Sequence, residues 1–269
     1  MRLAIRHETV YTYSAPFGYT IQHLRLTPRS DCGQTVERWQ LDGPGKLEAA
    51  VDSFGNLMHS FALNRPASLI RVVAEGLVDT AELVQGRIAP DAAGVISPLV
   101  FTLPSFYTVA DARIVEFAHR HRPAQPLIDD LQALSVAIGG DIRYESGATV
   151  VTSTAAQAIA LGRGVCQDLS HVYIAVCHVM GVPCRYVSGY FFPGDTDEMA
   201  SHAWVDVWLD SLEGGGGWIS VDPTHKTFAS DRHVRLALGR DYETAAPIRG
   251  VRAGGGEEKM RVSVSVVPQ

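Results

Sequence analysis

A cysteine, a histidine and an aspartate follow one another along the second half of this chain. Cys166 stands in Gly-Val-Cys-Gln-Asp, His202 in Ser-His-Ala-Trp and Asp222 in Ser-Val-Asp-Pro-Thr. A thiol nucleophile, a general base and a carboxylate that orients the base are the groups that cysteine-dependent acyl transfer uses. The residue types and their order therefore predict an enzyme of this class.

The sequence around Cys166 predicts that this cysteine opens a helix. The Gly-Arg-Gly segment at 162–164 interrupts the preceding residues, and the run that follows contains neither glycine nor proline until Gly181. A helix N-terminus and a neighbouring imidazolium lower a thiol pKa from about 8.5 to roughly 3.5–7.5, so the position favours a reactive thiolate. Gln167 and Asp168 suit a first turn and are expected to be capping residues.

Two further segments predict a β-hairpin that carries the other two residues. Apolar and polar residues alternate over 202–209, a second short strand covers 218–222, and four glycines at 214–217 predict a flexible turn. With the tip of the hairpin near position 213, His202 and Asp222 are expected roughly opposite each other. Directly opposed Cβ atoms lie about 4.5–5.5 Å apart, so the carboxylate can accept the imidazole Nδ1–H.

The first part of the chain has the pattern of an all-β domain. Short alternating stretches within residues 1–80 are separated by turn residues. The stretches run over 3–13, 19–27, 35–41, 49–51, 57–62 and 69–77. A mixed segment from Pro90 to Pro104 is interpreted as a linker. We therefore predict a β-rich N-terminal domain over residues 1–95 and a catalytic domain over residues 96–269.

Helical patterns begin after that linker. One helix is expected to start at Asp111, a second covers 127–138, and a short third helix over 154–161 leads toward the cysteine. Strand patterns return with the hairpin. The mixture predicts an α+β fold in which helices pack against the sheet that contains the hairpin.

Several blocks of the sequence resemble the bacterial transglutaminase-like superfamily. The blocks around the three residues appear in the order of that family, and two N-terminal segments resemble the β-rich domain that precedes the core in many bacterial members. These blocks cover residues 7–13, 24–29, 164–168, 181–190, 201–204 and 222–224. The resemblance implies a papain-like or transglutaminase-like core, with the nucleophile at a helix N-terminus packed on an antiparallel sheet.

The resemblance also implies a reaction. Cys166 would be the nucleophile, His202 the general base and acid, and Asp222 the orienting carboxylate; family members attack an amide carbonyl, form a thioester, and pass the acyl group to water or an amine. Gln167 stands where the animal transglutaminases carry tryptophan, and no acidic cluster resembles their calcium sites. We therefore expect no cofactor, and hydrolysis of a peptide, isopeptide or related amide bond rather than crosslinking. A catalytically silent binding module is the alternative.

The groups that surround the reacting atoms are less well defined by sequence. The backbone N–H of Cys166 is one expected donor to an oxyanion. Gln167 and Trp204 are candidates for the second donor or for a substrate contact, although Trp204 also fits a packed aromatic residue. Asp241 and Tyr242 are candidate cleft residues, with a structural role as the alternative.

Composition narrows the class of partner. The chain has 269 residues, 46% of them hydrophobic and 19% charged, with a formal net charge of −6. A negative chain without basic runs is not expected to bind nucleic acid. No stretch reaches the roughly 18 apolar residues that would span a bilayer, so no membrane partner is expected. The predicted partner is a peptide, protein or small amide substrate.

The cysteines indicate the cellular compartment of the protein and whether it binds a metal. Four cysteines without close pairing, together with an N-terminus that lacks an apolar signal core, predict a cytoplasmic protein. Cys177 and Cys184 lie in apolar surroundings and are expected to be buried. A structural zinc site is the alternative, because the chain has several soft ligands, namely Cys166, His171, Cys177, His178, Cys184 and His202. No C-x₂-C pair occurs among them, so no metal is predicted.

Overall fold

The computed structural model describes residues 1–88, 96–194, 201–212 and 216–269. The strands are β1 Arg2–Leu24, β2 Gln34–Asp42, β3 Glu48–Val51, β4 Leu57–Leu63, β5 Ala67–Thr80, β6 Arg143–Tyr144, β7 Arg163–Gly164, β8 Cys184–Phe191, β9 Ser201–Leu209, β10 Gly217–Asp222, β11 Thr227–Phe228, β12 His233–Gly239, β13 Ile248–Gly254 and β14 Glu258–Pro268. The helices are α1 Ala112–His121, α2 Ile128–Asp141, α3 Ala155–Leu161, α4 Cys166–Met180 and α5 Tyr242–Ala245.

The N-terminal region folds as the predicted sheet, built around β1. The strand order is β2-β5-β1-β4-β3, and β13 and β14 also pair with β1. The stretches predicted at 3–13 and 19–27 form one continuous strand, because the first half of β1 pairs with β5 and β14 whereas the second half pairs with β4 and β13. The chain therefore returns at its C-terminal end to the sheet where it began, and residues 248–254 and 258–268 share a sheet with β1.

The second sheet carries the predicted hairpin. It has the antiparallel order β11-β10-β9-β8-β12. The paired strands β9 and β10 confirm the hairpin, while residues 213–215 of its glycine turn lie outside the described residues. One face of the sheet is apolar and packs against α4, which is buried from Gln167 to Cys177. This arrangement confirms the α+β fold with a helix packed on an antiparallel sheet.

The predicted helices are confirmed with small changes at their ends. Asp111 caps α1 by accepting the N–H groups of residues 113 and 114, and Thr154 caps α3. The predicted linker is described only in part, since residues 89–95 lie outside the described residues; Pro98–Thr102 forms a 3₁₀ helix. No helix in the described ranges is long and apolar enough to cross a membrane.

Two amides of the N-terminal region complete the edge of the second sheet. Gln34 donates to the carbonyl of Arg235 at 2.9 Å and accepts its N–H at 2.8 Å. Asn56 makes the same pair of bonds to Leu238, at 2.7 and 2.8 Å. Edge strands otherwise leave backbone groups unpaired. The side chains of the first sheet region thus stabilise β12, which also carries a residue of the site described below.

Because of this edge pairing, truncation of the Asn56 side chain is expected to lower the free energy of unfolding substantially. Asn56→Ala removes both bonds and leaves a buried N–H and carbonyl on β12 without partners, so we expect unfolding free energy to fall by about 2–3 kcal/mol. Urea denaturation followed by circular dichroism measures this. Asn64→Ala, at an exposed position, is the matched control and is expected to change the free energy by no more than about 0.5 kcal/mol. Equal effects of the two substitutions would contradict this role of Asn56.

Candidate active site

The helix α4 begins at Cys166, whose side chain is partly exposed. Asp168 fixes this helix start, because its Oδ2 accepts the backbone N–H of Val165 at 2.8 Å and the hydroxyl of Thr149 at 2.6 Å. Asp168 therefore has the capping role predicted for it, whereas the side chain of Gln167, also predicted to cap, donates to the Val151 carbonyl instead. The thiol of Cys166 lies at the helix end where partial positive charge favours an anion.

The segment before the cysteine is held by backbone pairing. The short strands β6 and β7 run parallel, with Tyr144 beside Gly164, and the N–H of Glu145 donates to the Gly164 carbonyl at 2.9 Å. A Cβ at position 164 would lie 2.7 Å from the Cβ of Asp168. Only glycine lets the strand approach the capping carboxylate this closely. The glycine that interrupts the sequence thus permits the turn that presents Cys166.

The hairpin brings His202 and Asp222 into contact. Nε2 of His202 lies 2.8 Å from Oδ2 of Asp222, and both side chains are buried. The sequence predicted them roughly opposite each other, and the structure offsets them by two residues: Val221 pairs with Val205, so continuing that register sets Asp222 opposite Trp204. The contact is diagonal across the hairpin, which long side chains on one face can span.

The nitrogen that meets the carboxylate also differs from the prediction. The structure places Nε2 of His202 on Asp222, whereas Nδ1 was expected. Nδ1 is the ring nitrogen that does not meet Asp222. Cys166 is among the groups that raise the pKa of this imidazole.

Burial and charge act in opposite directions on this imidazole. Burial alone would lower the pKa of His202, but the Asp222 charge, its hydrogen bond and the contact with Cys166 outweigh burial and raise that pKa to about 10. Burial would also raise the pKa of Asp222, yet His202 and the other hydrogen-bond donors hold it well below its ordinary value. The pair therefore exists as imidazolium and carboxylate across the neutral range.

This shift predicts how His202 responds to pH. Because the folded pKa of about 10 exceeds the ordinary value of 6.5, the stabilisation that His202 contributes is fully present below pH 6.5 and is lost as pH rises through about 10. We expect an NMR titration of histidine-labelled protein to show the His202 ring losing its proton near pH 10. A midpoint near 6.5 would contradict the ion pair.

Asp222 accepts from two histidines besides His202. Nδ1 of His225 lies 2.6 Å from Oδ2, and Nε2 of His233 lies 3.0 Å from the same oxygen. Oδ1 accepts the backbone N–H groups of Thr224 and His225 at 3.0 and 3.2 Å. Neither histidine was predicted from the sequence. His225 lies one turn beyond the aspartate, which was a usable signal, but His233 arrives on β12 by non-local pairing with β8.

Comparison with known proteins decides the family. Residues 3–79 match the bacterial transglutaminase-like N-terminal region, and residues 115–223 match the transglutaminase-like superfamily. The chain belongs to the transglutaminase-like superfamily. This confirms the resemblance seen in the sequence blocks.

Relatives of this transglutaminase-like chain extend over its whole length. It is 31% identical over 283 residues to protein ML0607 of Mycobacterium leprae, covering 98% of both chains. It is 28% identical over 291 residues to protein Rv2569c of Mycobacterium tuberculosis, covering 99% of this chain and 93% of the other. A solved structure from Cytophaga hutchinsonii, described as a candidate cysteine protease, has a TM-score of 0.76 at 21% identity and covers 100% of this chain and 91% of that one. At that identity the likeness shows the shared fold.

The weaker site candidates of this transglutaminase-like chain have other partners. The side-chain amide of Gln167 donates to the Val151 carbonyl at 3.0 Å, and the buried indole N–H of Trp204 donates to Ser220 Oγ at 3.0 Å. Trp204 is thus packed, as the alternative interpretation held, and its N–H does not serve an oxyanion in this arrangement. Asp241 caps α5, and the N–H of Tyr242 donates to His171. The last two residues have the structural roles that were left open.

The soft ligands weighed for zinc do not gather in one place. Nε2 of His171 accepts from Tyr242, Nε2 of His178 meets the carbonyl of Phe101, and Cys177 and Cys184 are buried as predicted. In the described part of the chain, the group whose ligand atoms converge is a different one. Its members are His202, Asp222 and His233, with ligand atoms within 4.8 Å of one another. Both ring nitrogens already lie within hydrogen-bond distance of the carboxylate.

A buried cluster of charged residues lies on the face of the second sheet that carries His202. Asp206 accepts from Arg185 at 2.8 Å and from both terminal nitrogens of Arg235 at 2.6 and 2.9 Å. Burial would raise the pKa of Asp206, but the two guanidinium groups outweigh it and lower that pKa. Arg235 also donates to Ser220 at 3.3 Å, the hydroxyl that receives the indole N–H of Trp204. Through Ser220 the cluster is linked to Trp204, whose ring stacks on that of His202 with centroids 6.1 Å apart.

Proposed function

We propose that Cys166, His202 and Asp222 form a catalytic triad that hydrolyses a peptide, isopeptide or related amide bond through a thioester. The proposal is supported by one arrangement: His202 contacts the fully buried Asp222 carboxylate, and Cys166, partly exposed at the start of α4, is among the groups that raise the pKa of the same imidazole. Family membership supports a general cysteine-dependent acyl transfer.

The arrangement supplies each proton that the reaction needs. The Cys166 thiolate attacks the amide carbonyl carbon, and the His202 imidazolium gives its Nδ1 proton to the nitrogen of the breaking C–N bond. The acyl group remains on sulfur as a thioester. Water then attacks the thioester carbonyl, gives a proton to Nδ1, and releases the acid together with the thiolate. Asp222 holds the ring by Nε2 throughout and favours its charged form.

The helix start supplies electrostatic stabilisation as well. The first backbone N–H groups of a helix have no partner within the helix, so the N–H of Cys166 is suited to donate to the oxyanion of the tetrahedral intermediate. One such donor contributes about 3 kcal/mol to transition-state stabilisation. The side chains of Gln167 and Trp204 are engaged elsewhere and are not needed for this step.

Trapping of the thioester tests this function. Purified protein is incubated with a panel of peptide amides, Nε-isopeptides and small γ-glutamyl amides, quenched in acid, and mapped by peptide mass spectrometry. An acyl adduct on Cys166, together with release of the free acid, supports hydrolysis; release of an amine-linked product only in the presence of added amine favours transfer. A panel that gives neither adduct nor product, with Cys166 no more reactive than a free thiol, favours the silent binding module.

We also propose that the enzyme works in a reducing compartment, the cytoplasm. The support is that all four cysteines are free, two of them buried. Fractionation of cells that produce the native chain tests this, with a cytoplasmic and a secreted marker followed in parallel. Recovery with the secreted marker would contradict it.

A further inference from the structure

The carboxylate of Asp222 has far more donors than an orienting group requires. One imidazole would suffice, yet Oδ2 lies within 3.0 Å of three of them and Oδ1 accepts two backbone N–H groups. An ionised carboxylate can only accept hydrogen bonds, so each contacting ring nitrogen carries a hydrogen. His225 and His233 therefore act on Asp222 as donors, on the same oxygen that His202 uses.

The protonation state of His233 follows from its other contact. The backbone N–H of Ser230 donates to Nδ1 of His233 at 3.1 Å, so Nδ1 is an acceptor and the proton lies on Nε2. Burial lowers the pKa of His233, which keeps the ring neutral. Its ring packs at 5.1 Å against Trp204 and 4.9 Å against Phe191. His233 is a fixed, neutral donor.

His225 lies on the outer side of the same carboxylate. Its side chain is 25% exposed, its ring stacks on Phe191 at 4.4 Å, and its centroid is 5.1 Å from that of His202. Its backbone N–H and its Nδ1 contact the two different oxygens of Asp222. His225 therefore contacts both carboxylate oxygens and opposes rotation of the carboxylate away from His202.

We propose that His225 and His233 are positioning residues for catalysis: they lock the Asp222 carboxylate so that Oδ2 stays on Nε2 of His202. The inference rests on the proposed function of the triad. It assigns the two histidines no contact with the reacting atoms. Their effect reaches Cys166 through Asp222 and His202, so it is a rate effect and not a binding effect.

Matched substitutions distinguish the effect of losing the hydrogen-bond donor from the effect of losing the imidazole ring. His225→Asn retains an N–H at the place of Nδ1, and His233→Gln retains one at the place of Nε2, whereas His225→Leu and His233→Leu retain none. Loss of one hydrogen bond to a charged group corresponds to about tenfold in rate. We expect each leucine variant to lower kcat and the Cys166 alkylation rate by about tenfold with KM unchanged, and each amide variant to recover most of that loss.

His225 is partly exposed on a turn, so its variants test the inference even where His233→Leu fails to fold, which thermal unfolding by circular dichroism reports. A normal alkylation rate and kcat in His225→Leu would overturn the inference. So would a raised KM with unchanged kcat, which would make His225 a substrate contact, or an amide variant as slow as the leucine variant. A wild-type Cys166 no faster than a free thiol would instead defeat the proposed function itself.

Discussion

Cys166→Ala is expected to abolish acyl transfer while leaving the fold intact. Removal of the nucleophile from a triad lowers kcat by roughly 10⁶-fold, because no other group can form the covalent intermediate. The side chain lies at the partly exposed end of α4, so its truncation opens no cavity in the buried part of that helix. Amide hydrolysis followed by product mass spectrometry measures the loss, and urea denaturation checks stability.

A second cysteine provides the matched control for this change. Cys177 lies on the same helix but is buried in the hydrophobic core. Cys177→Ser is expected to retain activity per folded molecule while lowering stability, since it places a hydroxyl among apolar side chains. If Cys177→Ser eliminated turnover in folded protein and Cys166→Ala did not, the assignment of the nucleophile would be wrong.

Asp222→Asn is expected to have the second largest effect, a fall in kcat of about 10³- to 10⁴-fold. The amide carries no charge to hold the imidazolium, and its nitrogen is a donor placed among rings that also donate. In the wild-type protein the Asp222 carboxylate outweighs burial and helps to raise the pKa of His202 to about 10. In the variant that pKa is expected to fall. The alkaline limb of the pH–rate profile should therefore move to lower pH.

The pH profile distinguishes this electrostatic role from a purely structural one. Asp206→Asn is the matched control, because Asp206 is as deeply buried on the same sheet but pairs with Arg185 and Arg235 rather than with a histidine. It is expected to lower stability without moving the alkaline limb. An Asp222→Asn variant that kept the wild-type limb would show that the carboxylate does not set the charge of His202.

Local sequence signals account for the elements that hold the site. A glycine-bounded run predicted the start of α4 at Cys166, and strict alternation predicted β9, because both patterns reflect burial along a single element. Those signals also brought His202 and Asp222 onto one face. The predicted tip at 213 also gives the observed register, in which Asp222 and Trp204 lie nine positions from the tip and His202 lies eleven, so His202 is offset by two residues from Asp222. His202 and Asp222 nevertheless meet, because long side chains at diagonal positions on one face of a hairpin can reach each other.

Contacts between distant elements explain what was missed. His233 reaches Asp222 only because β12 pairs with β8, and the buried cluster of Asp206 with two arginines assembles from three different strands. The return of β13 and β14 to the first sheet has the same origin. Such pairings depend on tertiary packing, so no periodicity in one segment reports them.

The central claim, a reactive ion pair between Cys166 and His202, is tested most directly by alkylation. The rate of iodoacetamide labelling at Cys166 is measured against pH by peptide mass mapping, in the wild-type protein and in His202→Ala. We predict that Cys166 is labelled selectively and faster than a free thiol at neutral pH, and that His202→Ala removes this advantage. Labelling no faster than a free thiol, and unchanged by His202→Ala, would contradict the account.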